Sequence, residues 1–108
     1  MTIEKWASKP YSYQLLNIVS ELSRAQHWIK ENESDYLLRS LERAFELIDL
    51  TVASNQGAKP LRDLLRLREE FAGYYLGTNR EYEEFTHLLK SFVNLDKDVQ
   101  KLGIKISD

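Results

Sequence analysis

The residues best suited to chemistry fall in two places. Arg80, Glu84 and His87 follow one another at i, i+4 and i+7, so on a helix they share one face, turned away from Phe85 and Phe92. Glu84-Phe-Thr-His87 is also an E-x-x-H step, which in bundle cores supplies part of a di-iron site. A complete site needs a second such step and two further Glu. Here His27 has Arg24 three residues before it, and the chain holds 2 His and no Cys. No metal and no other cofactor is therefore expected, and Arg80–Glu84 and Glu83–His87 read as ion pairs on a solvated face.

The second place is Arg68. At 100° per residue it falls inside the apolar stripe of its own segment, between the directions of Leu61 and Leu64. A buried guanidinium needs a carboxylate, because an unpaired buried charge costs several kcal/mol. Arg68, Glu81 and Gln26 are accordingly expected as buried polar residues, with Glu81 or Asp96 as the partner of Arg68. The same arginine could instead extend its head to a bundle end, or bind an anion between helices. Nucleophile elbows, phosphate-cradling glycine loops and dinucleotide fingerprints are absent from the sequence.

These residues must be positioned by helices. Pro10 suits a first helical position, and Leu15, Ile18, Val19, Leu22, Ala25 and Ile29 recur at helical spacing, which predicts a helix over about 10–31. Ser34 can cap the next, over about 35–54, with Leu37, Leu38, Leu41, Ala44, Phe45, Ile48 and Val52 in its stripe. Pro60 opens a third, with Leu61, Leu64, Leu65, Phe71, Ala72 and Tyr75 along one side until Gly77 stops it at about 76. Thr78 with Glu81 has the form of a capping box before a fourth helix carrying Tyr82, Phe85, Leu88, Leu89 and Phe92, which reaches Leu95 or Leu102. Only GIKIS, near the end, alternates like a strand. The expectation is an all-α fold, an antiparallel up-down-up-down four-helix bundle; the runner-up has three helices, with the fourth segment packed across a dimer.

The 108 residues fit one domain, with residues 1–9 and 103–108 as flexible ends. A chain of this length hides roughly 65% of its extended surface on folding, enough for a core without disulfide or metal staples. Hydrophobic residues at 43% and charged residues at 30% exclude a disordered chain, and a net charge of -2 gives no overall field for a polyanion. No stretch has the length and apolarity of a membrane span or the form of a leader, so a cytoplasmic protein without membrane association is expected.

Arg80 and His87 together form Arg-x6-His, and at this point the chain resembles the HEPN superfamily of small helical-bundle proteins. The resemblance implies a metal-independent ribonuclease or a toxin–antitoxin component, completed across a dimer. His87 would handle the proton on the attacking 2′-hydroxyl or the leaving oxygen, and Arg80 would neutralise charge on the phosphate. The chain departs from that pattern at Glu81, which follows Arg80, and Glu83 and Glu84 make the face acidic and unattractive to RNA. The segments SRAQHW, LERAFELIDLT and LRDLLRLREEF are similar to those of small prokaryotic helical proteins, a resemblance that implies no activity.

The backs of the first two expected helices carry aromatic residues and Arg where a monomer would carry mainly Lys and Glu. Tyr13, Arg24, His27 and Trp28 lie on the first, and Tyr36, Arg43, Leu47 and Leu50 on the second. This is the composition of contact surfaces. The favoured expectation is a non-catalytic protein-interaction or oligomerisation module, either a homodimer or a domain with another protein partner, with Trp28 as anchor.

Overall fold

A computed structural model describes residues 2–55, 61–77 and 81–101, and all regular structure among them is helical. The elements are α1 (Ile3–Ala7), α2 (Tyr11–Lys30), α3 (Ser34–Ser54), α4 (Leu61–Tyr75), α5 (Tyr82–Val93) and α6 (Lys97–Lys101). α2 packs against α3, α5 and α6, α3 packs against α4 and α1, and α4 packs against α5.

The four long helices fall within a residue or two of their expected bounds, apart from the last, which breaks after Val93 and resumes as α6. Asp96 explains the restart. Its Oδ2 accepts the backbone N–H groups of Asp98 and Val99, both at 3.1 Å, as a helix-opening carboxylate does. Asp96 is thereby used as a cap and is not the partner of Arg68. Two other expected caps differ. Ser34 is the first residue of α3, and the preceding Glu33 makes no side-chain capping bond. Glu81 precedes α5 without a capping bond, and Thr78 lies outside the described residues, as do Pro60 and the 103–108 end.

Residues 2–8 depart most from expectation. In place of a flexible end they form α1, opened by Thr2, whose hydroxyl accepts the Lys5 N–H, and closed at Ser8. The reason is Trp6, which is 1% exposed. Its indole N–H donates to Thr51 Oγ1 at 2.8 Å, and Thr51 in turn donates to the Leu47 carbonyl. Gln14, also buried, donates to the Trp6 carbonyl at 2.7 Å and accepts from Asn55 Nδ2 at 2.8 Å. A large ring with one polar atom can enter a core when that atom finds an acceptor, and here three helices supply the surroundings. Ile3, Trp6 and Ala7 have helical spacing, but five residues are too short a run for the period to stand out, so the pattern of the sequence missed it.

The core itself corrects one helix face. Leu64, Leu67, Phe71 and Tyr74 are the buried residues of α4, whereas Leu65 is 46% exposed and Leu61, Ala72 and Tyr75 are partly buried. α4 is thus rotated relative to the expected stripe, and Arg68 lies roughly 80° from the true centre at 100° per residue. Phe45, expected in the apolar stripe of its helix, is only partly buried, whereas Leu41, Leu64 and Phe92 from the expected stripes are buried.

The turn between α2 and α3 sets up the surface described next. Asn32 takes a φ of 59°, its N–H bonds the Ile29 carbonyl, and the Glu33 N–H bonds the Trp28 carbonyl at 2.9 Å. This is the paired C-terminal closure known as the Schellman motif, with Asn supplying the left-handed residue. It reverses the chain sharply enough to put Tyr36 against Trp28.

Candidate interaction surface

Three rings stack at that turn. His27 meets Trp28 edge-on at 4.7 Å between centroids, and Trp28 lies against Tyr36 at 4.8 Å with 30° between planes. The guanidinium of Arg39 sits 6.0 Å from the Tyr36 ring centre and continues the row. His27 and Tyr36 are exposed, and Trp28 is half-buried with one side on the core.

Beyond Arg39 the surface becomes a charged groove between α3 and α4, of about 490 Å³, lined by Arg39, Arg43, Phe45, Glu46, Asp49 and Arg68 among others. Arg68 is only partly buried, and its partner is neither Glu81 nor Asp96. It donates from Nε and Nη2 to both oxygens of Asp49, at 2.9 and 3.1 Å, and lies 4.8 Å from the centre of the Phe45 ring. Its side chain retains 32% exposure. The rotation of α4 turns Arg68 towards α3, where the two-pronged bond suits the planar guanidinium. A few turns along, the Tyr75 hydroxyl donates to Glu42 at 3.1 Å, and the bond to this carboxylate holds the phenol above its usual pKa.

The other expected contact residues are dispersed. Tyr13 is 42% exposed but stands at the far end of α2, beside Trp6 and under the Lys9 ammonium. Arg24 pairs with Glu21, which also receives Arg43 from α3. Leu47, like Trp28, is partly buried against the core, and Leu50 is half-buried. The structure therefore keeps Trp28 and His27 together, adds Tyr36 and Arg39, and separates Tyr13. Tyr36 was legible as a back-face aromatic; its stacking on Trp28 required the turn.

Gln26 is buried as expected, and its amide donates to Thr86 Oγ1 at 2.7 Å, joining α2 to α5. Glu81 is exposed, contrary to expectation. It hydrogen-bonds Glu84, and that bond together with the charge of Glu84 raises its pKa. His87 is exposed between two recesses that also contain Glu83 and Lys90 on one side and Glu70 and Glu84 on the other. Arg80 lies outside the described residues, so its placement relative to His87 is not described. Tyr74, beside the second recess, is pushed up to about 12 by burial and by the charges of Glu84, Glu81 and Glu70. No three His, Asp or Glu side chains among the described residues are grouped to hold a metal ion, and no described helix is long and apolar enough to cross a membrane.

No protein-family model, curated protein or solved structure matches this chain.

Proposed function

We propose that the chain is a small non-catalytic helical interaction module, self-associating or binding a protein partner through the α2–α3 turn, with its four long helices in antiparallel up-down-up-down order. The ring of contacts α2–α3–α4–α5–α2 supports that order. The observation that carries the function is the row His27–Trp28–Tyr36–Arg39. Its ring surfaces are held in place by the turn and by one another, so little conformational freedom remains to be lost on binding. Aromatic residues and Arg dominate the energetically important positions of protein interfaces. The alternative, a HEPN-like ribonuclease using Arg80 and His87, draws less support, because Glu70, Glu83 and Glu84 surround His87 with charge that repels phosphate.

Trp28→Ala tests the reading. Association, followed by sedimentation equilibrium or by capture of a partner, is expected to weaken by more than about 1 kcal/mol while helicity is retained. Unchanged association would reject the aromatic row as the contact.

A further inference from the structure

Among the described residues the exposed side of α3 carries three charges without an ion-pair partner, Asp35, Arg39 and Glu46, and a fourth, Glu42, met only by a neutral hydroxyl. Asp49 is engaged by Arg68, Glu42 by Tyr75, and Arg43 by Glu21. Among the described residues Arg39 and Glu46 form no ion pair, and both are exposed. Seven residues apart, they lie within roughly 20° of one another around the helix and about 10 Å apart along it. The α4 and α2 partners draw Glu42 and Arg43 to opposite sides, so Arg39 and Glu46 lie on the crest between them, which is also the α3 rim of the α3–α4 groove.

We propose that this crest binds a second copy of the chain, with the two α3 helices antiparallel and the two-fold axis between Glu42 and Arg43. In that register Arg39 of each copy meets Glu46 of the other, and one contact generates the second by symmetry. Residues whose numbers sum to 85 lie level along the axis, so 39 pairs with 46 and the aromatic end at Tyr36 lies level with Asp49 of the other copy. A positive and a negative group placed symmetrically about one point on a helix are matched by the same helix reversed, which is the condition for a two-fold contact. Such charges set register and orientation more than affinity. In this register the Trp28–Tyr36 stack lies level with the Asp49–Arg68 pair of the other copy, so the inference rests on the association reading above and assigns its partner.

The test uses two exposed single variants of the full chain, Arg39→Glu and Glu46→Arg, examined by sedimentation equilibrium at tens of micromolar with circular dichroism as a check on folding. Each variant alone places like charges together at both contacts and is expected to dimerise at least tenfold more weakly than the unaltered chain. Mixed in equal amounts, they restore both opposite-charge contacts and should form a heterodimer. Recovery in the mixture shows that both variants are folded. Dimers that persist in both single variants, or a mixture of folded variants that stays monomeric, would overturn the α3 register. Loss of the dimer in Trp28→Ala alongside unaffected charge variants would remove this register and leave the association reading standing. An unaltered chain that is monomeric at these concentrations would overturn the proposal and leave the aromatic row to a different partner.

Discussion

Two polar clusters tie helices together in this chain, and they sit at opposite extremes of exposure. In the Trp6 corner, Trp6, Gln14 and Thr51 are all buried, and the bonds between them join α1, α2 and the end of α3. On the α3–α4 edge, Arg68 and Asp49 make a two-pronged ion pair that is open to water, with Asp49 60% exposed. Burial makes an unmade bond costly, because the abandoned group has no water to turn to. Exposure makes the same bond replaceable. The corner is thus built for stability, and the edge keeps charges in a fixed arrangement while leaving them accessible.

Substitutions should separate the two regions sharply. Trp6→Ala empties a fully enclosed site and should destabilise by about 3–5 kcal/mol in urea or thermal unfolding. A loss below 1 kcal/mol would show that α1 does not hold the core. Gln14→Ala removes a donor to the Trp6 carbonyl and an acceptor for Asn55, and about 1–3 kcal/mol should be lost.

The edge should respond less. Arg68→Ala is expected to cost about 1 kcal/mol, since a solvent-open ion pair contributes little and the contact with Phe45 adds a modest amount. Arg68→Met, which keeps the covering of Phe45, should cost less than the alanine. A loss for Arg68→Ala equal to that for Trp6→Ala would erase the distinction between the regions. On the same helix, a Cβ added at Gly73 meets nothing within 4 Å, so Gly73→Ala should stabilise α4 by about 0.4–1 kcal/mol.

The last test is a titration. Tyr74 ionises near 12, above the ordinary tyrosine value of 10, so the folded state holds that proton more tightly than the unfolded chain does. Its contribution to stability is whole below pH 10 and is lost as the pH climbs towards 12. Ultraviolet titration of the phenols should lose one late-ionising group in Tyr74→Phe, while Tyr11 and Tyr75 still ionise above the ordinary value. A variant that keeps every late-ionising phenol would show that Tyr74 is not among them.

Much of this was legible in the sequence for local reasons. Leu15, Ile18, Leu22 and Ala25 mark the buried face of α2 by spacing alone, and the left-handed φ of 85° at Gly77 fits its reading as the stop after α4. Gln26 was expected to be buried because it projects towards the same apolar stripe, and it is. Of the candidate surface, Trp28 and His27 were visible as unusual residues on the back of a helix, but the row they form with Tyr36 and Arg39 was not. Spacing within one helix carries no information about what the next helix brings across a turn.

The sequence by itself determined that the chain is helical and nearly where α2, α3 and α4 begin and end, because the period of apolar residues and the turn-forming residues act over a few neighbours. Tertiary structure decided the rest. Leu67 and Tyr74 are buried in place of Leu65 because α4 rotates to fit a core supplied by other helices, and that rotation sends Arg68 to Asp49, 19 positions away. Trp6 is ordered because Thr51, 45 positions away, accepts its N–H. Both outcomes depend on contacts between segments distant in the chain, which packing selects and local pattern does not encode.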